Sequence, residues 1–478
     1  MAIRLYNTLT NRKEELVPID PGKIGMYHCG PTVYSSPHIG NFRSFLLADL
    51  MRRFFEDRGY EVHQVMNITD VGHMTADDED SGEDKMVAAA RTERLDPYKV
   101  ARKYEDEFAR CLEQLRFLRP HEMPRATEHI EEMGAMIAQL LASGHAYQVN
   151  GNVYFEIAKF PGYGKLSNKV LDELVEGARI AVNDEKRDPR DFALWKVDPN
   201  HLMQWEAPFP GGAKGFPGWH IECSAMSMKY LGTSFDIHTG GEDNLFPHHE
   251  CEVAQSEAAT GEPFVRMWLH VKHLLVDGGK MSKSEGNFLT VQEILDRGYS
   301  GEELRYAISR VQYRNSLNFT WAGLDEARRA IQRVRQSWEK VARILRGESP
   351  AGTDSLVATV VSCQERFTAA LEDDLNTSEA LAEVFALVGE INRSNPDEES
   401  ARLADGALRR FQDVLAVFGE PPQSGGVDVP EDLMAKALAR EEARSSKDFA
   451  AADRLRDEIQ AAGFQVVDTA AGPRLEKL

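Results

Sequence analysis

The stretch from Met26 to Asn41 constrains this chain more than any other. A short extended run, Lys23 to His28, ends at Cys29, and Gly30-Pro31 breaks it. After a turn rich in Ser and Pro, Phe42, Phe45, Leu46, Leu50 and Phe54 recur at three- and four-residue spacing, the apolar stripe of an amphipathic helix beginning near Gly40. Strand, loop and helix in that order open an α/β sheet, with the loop at the strand's carboxyl end and the helix N-terminus offering free N–H groups to an anion. His38 stands beside that anion. Taken alone, it reads as a turn residue without chemistry.

The rest of the chain supplies the frame. A second strand, Glu61 to Ile68, ends at Thr69-Asp70, beside the first loop. Residues 120–199 change texture: a helix from Glu128 to Ser143, a strand from Asn152 to Ile157 and a charged turn at Arg187 to Arg190 read as an insertion between two halves of a sheet. The second half returns with Gly218 to Met226, where Cys223 is expected at a strand end or in an adjoining loop, and with the strand Ser234 to Thr239. A helix is expected from about Pro247, proline being tolerated in a first turn, and it puts His248 and Glu252 on one face. With 478 residues, 42% hydrophobic, several domains are expected: 1–119 and 200–300 as the halves of a Rossmann-like parallel-sheet domain, and 120–199 as its insertion. An α-helical bundle over 301–420 follows, then a Pro/Gly linker and a small α+β module over 421–478. That module reads as two helices, Glu431 to Ser445 and Asp448 to Ala461, and a short strand Phe464 to Val467.

Five widely spaced cysteines suit a reducing cytoplasm, and no apolar run is long enough to span a membrane. A net charge of −21 excludes a protein that coats nucleic acid non-specifically but leaves room for a local basic face, such as Arg328, Arg329, Arg333 and Arg335 on one helix. The acidic run Asp77 to Asp84 reads as a solvated loop. Cys29, Cys223 and His248 form a candidate metal set, thiolate and imidazole both being zinc ligands; spacing leaves the fourth position open between Glu252 and Cys251. After the strand Val271 to Val276, Lys280-Met281-Ser282-Lys283-Ser284 in a glycine-flanked loop makes a cationic arm able to fold onto a pyrophosphate.

That last run resembles the second signature of class I aminoacyl-tRNA synthetases, and His38-Ile39-Gly40-Asn41 resembles the first, whose usual fourth residue is His. Within that class, Tyr27 to Tyr34, Gly218 to Ser224, Phe246 to Glu250, Asp374 to Thr377 and Lys447 to Asp453 resemble the cysteinyl-tRNA synthetases. The resemblance implies one active-site Zn²⁺ on Cys29, Cys223, His248 and Glu252, and ATP with Mg²⁺ held by His38, Gly40, Asn41, Lys280 and Lys283, with His38, Lys280 and Lys283 catalytic. It implies cysteine contacts at Thr69 and Trp219, and an activity that joins L-cysteine to the terminal adenosine of tRNA(Cys) through cysteinyl-adenylate. A cytoplasmic monomer is expected, with RNA contacts at Arg328, Arg333, Arg440 and Arg444 and the anticodon end in the last module. Two departures stand out: Val71-Gly72-His73-Met74 replaces the family's usual continuation after Asp70, and no tryptophan lies near the C-terminus.

Overall fold

A computed structural model describes residues 2–72, 84–169, 184–281, 286–423, 431–446, 448–469 and 472–477. The chain forms two compact units: Met1–Gln332 with Cys363–Phe385 and Arg410–Gly419, and Arg333–Ser362 with Ala386–Arg409 and Glu420–Leu478.

The first unit is built on four parallel strands, β1 (Lys23–His28), β2 (Glu61–Met66), β3 (Phe235–Gly241) and β4 (Val265–Val271), in the order β4-β3-β1-β2. Helices α1 (Ile39–Asp57), α2 (Trp219–Leu231) and α3 (Glu250–Thr260) make or precede the crossovers. The strand order reverses between β1 and β3, so the crevice outside their carboxyl ends is where a ligand is expected in such a sheet. Phe42, Phe45, Leu46, Leu50 and Phe54 of α1 are all buried, as their spacing requires. Strands covered on both faces are normally near-continuous apolar runs, yet β3 buries Asp236, His238 and Thr239. Asp236 is satisfied by the N–H groups of Ile19 and Gly25, at 2.7 and 2.8 Å. Thr239 Oγ1 lies 2.6 Å from His28 Nδ1 on one face of the sheet, and His238 faces Glu252 on the other.

Helix Ile130–Ser143 and the strands Ala146–Val149, Asn152–Phe155 and Phe192–Lys196 of the insertion share one apolar core with Tyr27, Ile221, Cys223 and Trp268, and Phe216–Pro217, from beyond residue 199, completes their antiparallel sheet. The expected strand Val271 to Val276 is two strands, β4 and Leu274–Val276. The reason is local: Arg43, buried in α1, draws the carbonyls of Lys272 and His273 to its guanidinium at 3.0 and 2.9 Å, which breaks the ladder. Leu274–Val276 then turns through Asp277 and Gly278, both at positive φ, into Gly279–Lys280, the turn chemistry of a tight hairpin. It also pairs in parallel with Leu317–Phe319, a strand within the stretch expected to be helical throughout.

The helices Trp321–Leu345, Val357–Glu372, Thr377–Arg393 and Glu398–Leu415 follow. In the second unit the buried Trp338 donates its indole N–H to Asp405 at 2.8 Å. The terminal module has the two expected helices, Glu431–Ser445 and Phe449–Ala461, but its strand Phe464–Thr469 pairs with a second, Gly472–Lys477, that periodicity did not disclose. Leu433, Ala437, Ile459, Phe464 and Leu475 form its small core. Asp84, expected to be solvated, is buried: it caps helix Lys85–Glu93 through the Val87 N–H and bonds His201 Nε2 at 2.5 Å. The rest of that acidic run lies outside the described residues. No helix among the described residues is long and apolar enough to cross a membrane.

Candidate active site

The end of β1 is held between β3 and the end of β2. The Cys29 N–H donates to the Thr239 carbonyl at 3.1 Å and the Gly30 N–H to Asn67 Oδ1 at 2.8 Å, while Thr69 N and Val33 N complete a bridge between the two chain segments. His38 then caps α1: its Nδ1 accepts the Asn41 N–H at 3.2 Å, and Asn41 Oδ1 accepts the His38 N–H at 3.0 Å. Accepting at Nδ1 puts the ring proton on Nε2. Asn41 thus serves as cap partner where a second histidine is usual. The Ile39 N–H donates to the Leu289 carbonyl at 2.9 Å, and Met281 Cε lies 3.4 Å from where a Cβ on Gly40 would stand. The two signature segments therefore meet. A crevice is lined by Cys29, His38, Gly40, Asn41, Lys280 and Met281 among others. Lys280 is exposed at the hairpin end; Lys283 lies outside the described residues.

Cys223 is neither at a strand end nor in a loop. Gly218 caps α2, and Cys223 sits in its second turn among Ile221, Ala225 and Met226, all buried. Opposite it, Leu245–His249 forms a π turn that leads into α3, so the α-helix starts at Glu250 rather than near Pro247. His248 and Glu252 still share a face, with Nε2 to Oε1 at 3.1 Å. Cys251 points elsewhere, its sulfur 3.3 Å from the Tyr163 hydroxyl.

Cys29, Cys223, His248 and Glu252 offer ligand atoms that all lie within 4.8 Å of one another. Donors 2.0–2.3 Å from a tetrahedral ion stand about 3.3–3.8 Å apart, so small side-chain rotations suffice to close this set on a cation such as zinc. Burial works against the Glu252 carboxylate, but His238 and His248 pull it down to about 2. Burial likewise works against a charged His248, but Glu252 and Cys223 raise it to about 10. The hydrogen bond with Cys29 and burial push the Cys223 thiol well above its usual range, and burial raises Cys29. A cation reverses the cost of both thiolates.

Around this set lies a bed of imidazoles that spacing did not reveal. His220 Nδ1 lies 2.9 Å from His248 Nδ1, which leaves His248 Nε2 for the centre. His238 Nε2 meets Glu252 Oε2 at 3.0 Å, and His249 Nε2 meets Cys29 Sγ at 3.1 Å. Burial and the neighbouring His238 bring His28 and His270 down to about 3, so both rings are neutral.

Thr69 and Trp219 flank the cluster. Thr69 Oγ1 donates to Glu222 Oε2 at 2.9 Å and accepts from Asn67 Nδ2 at 3.0 Å; the Trp219 ring lies over His248 with centroids 4.4 Å apart. Of the arginines expected to meet RNA, Arg328 gives its guanidinium to Glu303 and to the Gly298 carbonyl and lies over Tyr299, whereas Arg333 and Arg444 are exposed and Arg440 is half-buried.

Residues 15–329 match the family described as "tRNA synthetases class I (C) catalytic domain", and residues 366–419 match the DALR domain. A cysteine–tRNA ligase of Thermus thermophilus is 45% identical, covering 99% of both chains, and one of Caldicellulosiruptor saccharolyticus is 41% identical, covering 100% of both. Among solved structures, a methionyl-tRNA synthetase of Mycobacterium tuberculosis in complex with methionyl-adenylate superposes with a TM-score of 0.60 at 14% identity, covering 82% of this chain and 92% of its own. That likeness speaks to the fold.

Proposed function

The chain belongs to the cysteine–tRNA ligases, a family of class I aminoacyl-tRNA synthetases, and from that premise we propose that it selects L-cysteine at Cys29, Cys223, His248 and Glu252 and activates it with ATP in the adjoining crevice. The observation that carries the reading is the shared wall: Cys29 belongs to the four-ligand set and also lines the crevice with His38, Gly40 and Lys280.

The residues divide the work as follows. The cysteine carboxylate attacks the α-phosphorus of ATP, the bond to the β-phosphate breaks, and pyrophosphate leaves with Mg²⁺. His38 Nε2–H and the α1 N-terminus at Gly40 and Asn41 face the phosphates, and Lys280 and Lys283 close on the charge that grows as the bond breaks. A hydroxyl of the terminal adenosine of tRNA(Cys) then attacks the carbonyl of the adenylate, and AMP leaves. No protein nucleophile is required; placement and charge neutralisation suffice. Thr69 and Trp219 border the amino acid.

Zinc held by the four ligands supplies a bond that a thiolate makes well and a hydroxyl makes poorly. A site built for one such bond rejects an analogue lacking it by about 10⁴ to 10⁵, so serine is excluded without an editing step. Arg333, Arg440 and Arg444 carry RNA contacts, with Arg328 bracing the helix it shares with Arg333. Cysteine-dependent ATP–pyrophosphate exchange tests the reading: metal-replete protein supports exchange with cysteine and not with serine, and absence of cysteine-dependent exchange would overturn it.

A further inference from the structure

Arg43 stands in α1 two residues after Asn41, and its side chain is buried. Its guanidinium is divided between two chain segments. Nη1 donates to the carbonyls of Lys272 and His273 at 3.0 and 2.9 Å, and Nη2 donates to those of Gln312, at 3.2 Å, and Asn315. Burial lowers the group to about 10, with Glu242 opposing, so it stays charged at neutral pH. Both segments lead into one small sheet. Lys272-His273 precedes Leu274–Val276 and Asn315 shortly precedes Leu317–Phe319; these two strands pair in parallel, and Gly279–Lys280 pairs with the first of them. We propose that Arg43 is a positioning residue for ATP activation: it fastens the sheet that carries Lys280 to the helix whose N-terminus faces the phosphates, and so sets how closely Lys280 approaches them. This deepens the reading of His38, Gly40, Asn41 and Lys280 as the ATP site and rests on it.

The neighbours of both segments suit that role. Glu242, just past β3, accepts the His273 N–H at 2.7 Å and pairs with Lys272 Nζ at 2.6 Å. The buried Asp374 carboxylate accepts from the Tyr313 hydroxyl and from Arg314 Nε, both at 2.6 Å, and the Asp374 carbonyl accepts from Gln312 Nε2 at 3.0 Å. Arg43 therefore grips two segments that are themselves held. Asn318 Oδ1 accepts the Gly278 N–H at 2.8 Å and ties the hairpin turn to the strand Leu317–Phe319. Past Lys280 the chain returns to α1, where the Ile39 N–H meets the Leu289 carbonyl. A lysine at position 43 cannot replace this arrangement, because its three donors radiate from one nitrogen, whereas a guanidinium gives each segment a nitrogen of its own.

The test is a cycle of substitutions read by cysteine-dependent ATP–pyrophosphate exchange. Arg43→Lys keeps the charge and removes the fork; it is made in wild type and in a background carrying Lys280→Ala and Lys283→Ala, with circular dichroism and thermal melting to check folding. In wild type it lowers kcat about 100-fold and leaves KM for cysteine within about 2-fold. In the lysine-free background it lowers kcat by less than about 3-fold, because the groups it positions are gone. Asn318→Ala, an exposed change that loses the bond to Gly278, shows the same pattern with a loss of about 10-fold, and the same comparison decides on it if Arg43→Lys does not fold. Equal losses in both backgrounds make Arg43 a residue of the fold alone and overturn the proposal, as does a loss under about 3-fold in wild type. Wild-type protein without cysteine-dependent exchange removes the ATP site itself, and this role with it.

Discussion

Gly30→Ala is the most searching substitution that the backbone itself suggests. A Cβ on Gly30 would stand 1.7 Å from the Asn67 carbonyl oxygen, where real Cβ contacts essentially never fall below 3.0 Å. The two segments must therefore part by at least about 1.3 Å, and neither atom is at the free end of a flexible side chain. The movement breaks the Gly30 N–H bond to Asn67 Oδ1 and strains the bridge through Thr32 and Thr69. With about 1 kcal/mol for each of two backbone bonds and 1–3 kcal/mol for overpacking, the expected loss is about 3–5 kcal/mol. Cys29, the next residue, moves with Gly30, and a shift of this size costs about 100-fold in a reaction that depends on placement. The control is Gly406→Ala, in the helix Glu398–Leu415, where a Cβ meets nothing within 4 Å. There alanine stabilises by about 0.5–1 kcal/mol. Urea unfolding and cysteine-dependent pyrophosphate exchange read both variants. A Gly30→Ala protein within about 0.5 kcal/mol of wild type and fully active would refute the argument from close packing.

Other consequences follow from single contacts. Cys223→Ser replaces a thiolate by a poor ligand and should cut cysteine-dependent exchange by more than about 100-fold; near-normal exchange would take metal out of the reading. His220→Ala removes the Nδ1 partner of His248 and should weaken zinc retention against a competing chelator by about 10 to 100-fold with the fold intact. Burial raises Asp70 to about 6 from 3.8, although its bonds from Thr127 oppose this. The folded chain then holds more protons than the unfolded chain between about pH 4 and 6, so this carboxyl costs stability as pH rises through that window, by about 3 kcal/mol at most. Asp70→Asn should therefore gain stability relative to wild type between pH 4.5 and 7 in urea titrations, and a constant difference would contradict the assignment.

The strand, loop and helix at the start of the sheet were legible because the information is local: one apolar stripe, one glycine break, one cap. The pair His248 and Glu252 was legible for the same reason, since a four-residue spacing survives whether the turn before α3 is α or π. Cys223 was misplaced because Ile221, Cys223 and Ala225 alternate like a strand, and a helix buried on most sides shows no polar face to betray its period. The histidine bed was hidden for a different reason. His238 and His270 lie on two strands about thirty residues apart in sequence, and only the parallel register, Trp268 opposite His238 and His270 opposite Gly240, brings them to one face beside His249. The available signal was a histidine within each of two neighbouring strands, His238 and His270. Arg328 shows the limit for surface charge: sequence marks a basic helix face but not that Glu303 and Tyr299 already engage one of its members.

The central claim is that cysteine is chosen by its sulfur at the four-ligand set beside the ATP crevice. Zinc X-ray absorption on loaded protein, recorded without and then with cysteine, tests it most directly. The account predicts that the number of sulfur neighbours rises by one for each chain when cysteine is added and does not change with serine. A sulfur count that stays the same with saturating cysteine would contradict it.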